Sequence, residues 1–192
     1  MITFFDTETT GLPKNWNAPI TKLDNWPRII QLAWMVTDLT GEIITSEKHL
    51  IKPDGWVVPV EKFWIDNGYS TEQCEEHGVP LADVLDLFLN ALCGCTTVVS
   101  HNMDYDLKVT GAEMIRYQYS FLTPKIKMCT KEIGTDVCKI PGNYGKYKWP
   151  KLTELHQFLF NKGFDDAHDA LADVTACKNC FFEMAKRGII KL

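Results

Sequence analysis

Five residues in three short stretches have the types and spacing for hydrolytic metal chemistry: Asp6 and Glu8, then Asp106, then His168 and Asp173. Asp6 and Glu8 stand in Phe4-Phe5-Asp6-Thr7-Glu8-Thr9-Thr10-Gly11-Leu12. Asp106 closes Ser100-His101-Asn102-Met103-Asp104-Tyr105-Asp106, and His168 and Asp173 belong to Asp165-Asp166-Ala167-His168-Asp169-Ala170-Leu171-Ala172-Asp173. Hard carboxylate oxygens suit Mg²⁺ or Mn²⁺, and a divalent cation cancels the repulsion between neighbouring carboxylates. A histidine beside a cation-bound water can take its proton. Two such ions about 3.5–4 Å apart are the arrangement that cleaves phosphodiesters.

Each group needs an element to hold it. The β-branched and aromatic run at residues 2–8 stops at Gly11 and Pro13, which predicts a buried strand. Period 2 puts Ile2, Phe4, Asp6 and Glu8 on one side, with both carboxylates where the apolar segment runs out. An acidic pair at a solvated strand end has the same pattern. A second buried strand is expected over residues 96–100 and a helix over 103–119, with Leu107, Met114, Ile115 and Tyr117 as core positions. Asp106 then lies in the first turn, free to point back over the sheet; the helix dipole alone also favours an acid there. Asp104 is a rival, although two residues apart on a helix the pair face different ways. From Asp169 to Met184 one apolar stripe, Ala170, Val174, Cys177, Phe181 and Met184, predicts an amphipathic helix with His168 at its start and Asp173 beside the stripe. Spacing does not choose between Asp169 and Asp173, and Asp169 also suits a helix cap.

The order of these motifs resembles the DEDDh branch of 3′-to-5′ exonucleases, which contains proofreading exonucleases of the DnaQ type, ribonuclease T and oligoribonuclease. Asp6 through Leu12 is similar to the family's first motif, His101 through Asp106 to its second and His168 through Asp173 to its third, spanning residues 4 to about 182. The resemblance implies that Asp6, Glu8, Asp106 and Asp173 hold two divalent cations, Mg²⁺ or Mn²⁺. It makes His168 the base, and selects Asp106 over Asp104 and Asp173 over Asp169. It implies release of nucleoside 5′-monophosphates. It also implies that Thr7, Thr9, Thr10 and Leu12 line a pocket for the terminal nucleotide, with Asn102 and Tyr105 as further substrate contacts. Core packing is the alternative for Leu12 and Tyr105. Ile65-Asp66-Asn67-Gly68-Tyr69-Ser70 resembles the family's segment ending in Gly-Ile-Thr or Gly-Ile-Ser, with Tyr69 in place of the common isoleucine. The fold implied is ribonuclease H-like, a mixed five-stranded sheet flanked by helices.

Spacing alone gives α/β: strands at 2–8, 28–37, 42–51, 96–100 and 126–129, and helices near 71–93, 103–119, 151–161 and 169–187. Short connections make the first three strands an antiparallel meander, and intervening helices make the rest parallel. The stretch 56–64 reads as an extended connector whose aromatics cover an apolar edge or shape a groove, and Pro13 to Pro27 as a long loop of the kind that is often functional. The 192 residues, 45% hydrophobic and without linker or repeat, are expected to form one catalytic domain. Seven cysteines, an odd number, fit reduced thiols, and Cys177-Lys178-Asn179-Cys180 lacks the second pair a zinc site needs. No secretory leader or membrane span is expected, which points to a cytoplasmic protein.

A net charge of −5 argues against a broad electrostatic grip on duplex nucleic acid. Two divalent ions would add four positive charges and leave the loaded protein nearly neutral. The basic residues cluster at Lys125, Lys127 and Lys131, and again at Lys139, Lys146, Lys148 and Lys151 among Tyr144, Tyr147 and Trp149. Such a loop can hold a single strand by charge and stacking, or be plain solvated surface. Only about nineteen residues follow Asp173, so no polymerase-docking tail is expected; a homodimer is compatible with the resemblance. Three functions fit: an exonuclease on single-stranded DNA or DNA 3′ ends, an exoribonuclease or oligoribonuclease using the same site, and an inactive module that binds a nucleic-acid end or a protein. The filled site speaks against the third.

Overall fold

The apolar run that opens the chain forms β1 (Ile2–Thr9), and the longer run Ile29-Ile30-Gln31-Leu32-Ala33-Trp34-Met35-Val36-Thr37 forms β2, buried along its whole length. A computed structural model describes residues 1–120, 124 and 126–192. Lys125 of the first basic cluster lies outside them. β3 (Ile43–Leu50) pairs antiparallel with β2, and β2 antiparallel with β1. β4 (Thr97–Ser100) and β5 (Ile126–Cys129) then add in parallel, giving the order β3-β2-β1-β4-β5. The meander and the parallel pairs are those that connection length predicts.

β1 and β2 are covered on both faces. Helices α3 (Leu81–Cys93) and α4 (Met103–Arg116) bury Phe5, Leu32, Trp34 and Val98 on one side. Helices α6 (Leu152–Phe160) and α7 (Ala170–Lys186) bury Ile2, Phe4, Ala33, Met35 and Val99 on the other. All five residues of the predicted α7 stripe are buried in this second core. The edge strand β3 is largely exposed and carries Glu47 and Lys48, charges that discourage pairing with another chain. All seven cysteines are free; Cys177 and Cys180 are buried on α7, where burial pushes the Cys180 thiol up to about 12. No helix among the described residues is long and apolar enough to cross a membrane.

Three local expectations are corrected. Residues 56–61 are non-helical as read, but Phe63 and Trp64 belong to a short helix, α1 (Lys62–Asp66), ahead of α2 (Thr71–His77). α4 stops at Arg116 rather than 119, because Gln118 takes a positive φ of 63°. Its inner face is Val109, Ala112, Glu113 and Met114, while Leu107, Ile115 and Tyr117 are only partly covered. Glu113 is accommodated inside because Arg28 Nε meets its Oε1 at 2.8 Å and Arg116 Nη1 at 3.2 Å. Sequence periodicity does not reveal α5 (Thr130–Cys138), whose Gly134 interrupts the apolar repeat. A Cβ at Gly134 would come 3.0 Å from the Leu155 side chain, which would have to shift to make room, so the glycine eases the close approach of α5 and α6 there.

Candidate metal centre and substrate cleft

The parallel pairing of β1 with β4 brings the ends of both strands to one edge of the sheet, where ligands of open α/β sheets commonly sit. Asp6 and Glu8 project from β1 on the α7 side. Asp106 arrives from the first turn of α4 and is 2% exposed. Thr7 Oγ1 donates to its Oδ1 at 2.9 Å and Ser100 Oγ to its Oδ2 at 2.6 Å. Asp173 comes from the first turn of α7, and its Oδ2 accepts the His168 N–H at 3.2 Å. One potential ligand atom from each of Glu8, His168 and Asp173 lies within 4.8 Å of the others.

Asp169 and Asp104 are engaged elsewhere. Asp169 caps α7 by accepting from the Leu171 and Ala172 N–H groups, and pairs with Lys48 at 2.9 Å. Asp104 faces solvent and pairs with Lys108 at 2.7 Å. Both are thus held by partners of their own, while Asp106 and Asp173 line the cleft over the carboxylates.

The electrostatics are those of like charges crowded out of water. Burial, then Asp106, Asp173 and Glu8, push Asp6 well above the usual carboxylate range. Burial, then Asp173 and Asp106, raise Glu8 to about 8. Burial raises Asp106 to about 6 against the pull of Ser100, Thr7 and Lys131, and raises Asp173 to about 6. His168 is shifted down, by burial and then by Lys151, so its imidazole is neutral at neutral pH.

A cleft of about 710 Å³ opens over this cluster, lined by Asp6, Glu8, Asp106, His168 and Asp173 and by Leu12, Phe63, Trp64, Asn102 and Lys151. Of the predicted substrate contacts, Thr7, Thr9, Leu12, Asn102 and Tyr105 line it. Leu12 is 73% exposed, which excludes core packing for that side chain. Its neighbour Gly11 has a φ of +148°, a backbone conformation that residues bearing a Cβ rarely adopt. Tyr105 is buried: its hydroxyl donates to the Gly11 carbonyl at 2.8 Å and shares a 2.6 Å bond with Thr9 Oγ1, so it also shapes the turn that presents Leu12. Thr10 is drawn away, its Oγ1 accepting from the Arg28 N–H at 3.0 Å.

The structure adds residues that the motifs do not contain. Phe63 meets the His168 ring edge to face at 5.1 Å, and Trp64 Nε1 donates to the Thr9 carbonyl at 3.0 Å. The 56–64 aromatics thus divide: Trp56 packs on the core, while Phe63 and Trp64 form a cleft wall. Lys131 binds Asn102 Oδ1 and lies over the Trp149 ring at 4.4 Å. Ser100 and Gln31 carried a faint signal, each being a polar residue in an otherwise apolar strand. In the second motif, His101 is structural: its ring nitrogens contact Thr130 Oγ1 and the Pro150 carbonyl, and burial lowers it to about 4.

No protein-family model and no curated protein sequence matches the chain. Solved structures do resemble it. E. coli exonuclease I in complex with a 5cy-dT13 oligonucleotide superposes with a TM-score of 0.73 at 20% identity, over 97% of this chain and 40% of that one. The zinc-ion-bound form of the E. coli enzyme with single-stranded DNA gives 0.70 at 20% identity, over 97% and 40%. Exonuclease I from Methylocaldum szegediense gives 0.69 at 22% identity, again over 97% and 40%. This chain therefore spans about two fifths of the length of those proteins. The fold is ribonuclease H-like, a mixed five-stranded sheet flanked by helices, as the motif resemblance implies.

Proposed function

We propose that this protein is a metal-dependent 3′-to-5′ exonuclease of the DEDDh group, acting on single-stranded DNA or DNA 3′ ends and releasing nucleoside 5′-monophosphates. The observation that carries this is the convergence of Asp6, Glu8, Asp106 and Asp173, from three separate elements, on one cleft beside an exposed, neutral His168. Fold likeness to exonuclease I supports it, and the oligonucleotides bound in those structures favour a DNA strand.

The donor set fits hard divalent cations. Among the described residues none of the four carboxylates forms an ion pair with Lys or Arg; burial raises all four, and like charge raises Asp6, Glu8 and Asp173 further. Asp6, Glu8, Asp106 and Asp173 would hold the ions. Bound Mg²⁺ or Mn²⁺ supplies Lewis acidity toward the attacking water and offsets charge at the leaving 3′ oxygen. His168 takes the proton of that water on an imidazole nitrogen, which its lowered proton affinity leaves free. Leu12 and Phe63 offer apolar surface for the terminal base, and Asn102 with Lys151 offers polar contacts for sugar and phosphate.

The test is incubation with matched 5′-labelled single-stranded DNA and RNA in Mg²⁺, Mn²⁺ or EDTA, with Asp6→Ala as control. A metal-dependent ladder shortening from the 3′ end is expected, faster on DNA. A faster RNA ladder would move the substrate to RNA at the same site, and intact strands in every metal would overturn the enzyme reading.

A further inference from the structure

The proposed base sits on a backbone that does not hold itself. His168 has a φ of +77°, a left-handed conformation that a residue with a side chain keeps only where its surroundings fix it. Its N–H donates to Asp173 Oδ2 at 3.2 Å. Its carbonyl accepts from the Tyr69 hydroxyl at 2.8 Å. Two residues on, the Ala170 N–H donates to Gln31 Oε1 at 2.7 Å, and the Tyr69 hydroxyl lies 3.3 Å from that same oxygen.

Gln31 stands directly opposite Glu8 in the β1–β2 register. The segment that carries His168 is therefore tied, through Gln31 and Tyr69, to the strand position beside the Glu8 carboxylate. Tyr69 is itself fixed: its ring is buried with Ile30, Val58 and Cys74, and its N–H donates to the Trp64 carbonyl at 2.8 Å. Burial, then Glu8 and Asp169, push the Tyr69 hydroxyl far up, so it is a neutral donor at any working pH.

We propose that Tyr69 is a positioning residue for His168, its hydroxyl holding the His168 backbone so that the imidazole faces the carboxylate cluster. The inference rests on the proposed function. Phe63, from the same connecting segment, steadies the ring from the side at 5.1 Å. One stretch of chain thus supplies both a backbone hold and a ring contact.

Tyr69→Phe removes the hydroxyl and keeps the packed ring. On single-stranded DNA in saturating Mg²⁺, kcat should fall by about 10- to 100-fold, the scale of a misplaced catalytic group, with KM and Mg²⁺ affinity unchanged. In a His168→Ala background the same substitution should cost nothing further, because there is no imidazole left to aim. Amide hydrogen exchange across residues 167–170 should quicken in Tyr69→Phe, while the remainder of the protein keeps its protection. Full activity of Tyr69→Phe beside an active wild type, an equal loss in both backgrounds, or unchanged exchange would each overturn the positioning role alone. A wild type that leaves 3′ ends intact in every metal would overturn the proposed function and this inference with it.

Discussion

Thr7 Oγ1 donates a 2.9 Å hydrogen bond to Asp106 Oδ1, joining the two sequence motifs through a side chain on the face of β1 opposite Asp6 and Glu8. With Ser100 Oγ at 2.6 Å on Oδ2, each oxygen of the buried Asp106 carboxylate has one hydroxyl donor and lone pairs to spare for a cation. Both hydroxyls favour the ionised form and partly offset the upward push of burial. Thr7→Val or Ser100→Ala should therefore raise the Asp106 pKa and weaken Mg²⁺ binding, each by about 1.5–3 kcal/mol, the worth of a hydrogen bond to a charged group. Isothermal calorimetry at pH 7 reads this directly. Affinity unchanged in both variants would show that these bonds only tie α4 to the sheet.

Asp6 is set against stability. It is pushed up by burial and then by four other carboxylates, so in the metal-free protein its charge is a liability. Asp6→Asn keeps the shape and removes the repulsion. In EDTA at pH 8 the variant should melt several degrees higher than the wild type, while Mg²⁺ binding and strand cleavage are lost. Scanning calorimetry with and without Mg²⁺ checks both halves. A variant that melts lower in EDTA would mean that Asp6 is satisfied by something other than a cation.

The same crowding fixes a pH dependence. Glu8 is raised to about 8 and Asp106 and Asp173 to about 6, against roughly 4 in an unfolded chain. Between about pH 4 and pH 8 the folded metal-free protein holds protons that the unfolded chain has released. The unfolded state then binds fewer protons, the slope of stability with pH is negative, and stability present below pH 4 is lost as pH rises through the folded values. Saturating Mg²⁺ displaces those protons and should flatten or reverse the trend, with proton release on binding. Melting temperatures in EDTA from pH 5 to 8 are expected to fall; a steady rise would contradict the arrangement.

His168 lies as close to Glu8 and Asp173 as a shared ligand would, each offering one atom within 4.8 Å of the others. A base and a ligand differ in what their loss removes. His168→Ala should retain Mg²⁺ affinity and lose about 10²–10⁴-fold in kcat, the scale of general-base catalysis. Calorimetry beside single-turnover cleavage separates the two, since a parallel loss of metal affinity would make it a ligand.

The elements that carry the carboxylates are legible in the sequence because local rules place them. Period 2 puts Asp6 with Glu8 and the Ala170–Met184 stripe sets the rotation of α7, but spacing leaves Asp173 open against Asp169 and Asp106 open against Asp104, and only the motif resemblance chooses between them. What the sequence hides is non-local. Glu113 turns inward because Arg28, 85 residues away, meets it, so the inner face of α4 departs from its apolar spacing. Tyr69 reaches His168 across 99 residues, a contact no periodicity encodes. Helix α5 escapes notice because its glycine answers to Leu155 on another helix.

The basic-aromatic loop divides once its partners are known. Lys148 is spent on Glu154 at 2.6 Å and has less to offer a phosphate. Trp149 is 63% exposed with the Lys131 ammonium over its ring at 4.4 Å, and Lys131 also holds Asn102 in the cleft. An indole fixed on one side and open to solvent is a stacking platform for a base, and the cation beside it suits the neighbouring phosphate. Using the uncleaving Asp6→Asn background in Ca²⁺, Trp149→Ala should weaken single-stranded DNA binding by about 1–3 kcal/mol, whatever the base. Lys131→Met should lower the salt dependence by about one counterion. Lys148→Met should do less than either, because the charge it removes is already paired. Fluorescence titrations at several salt concentrations rank the three, and a dominant Lys148 effect would place the strand on the outer side of the loop, away from Asn102.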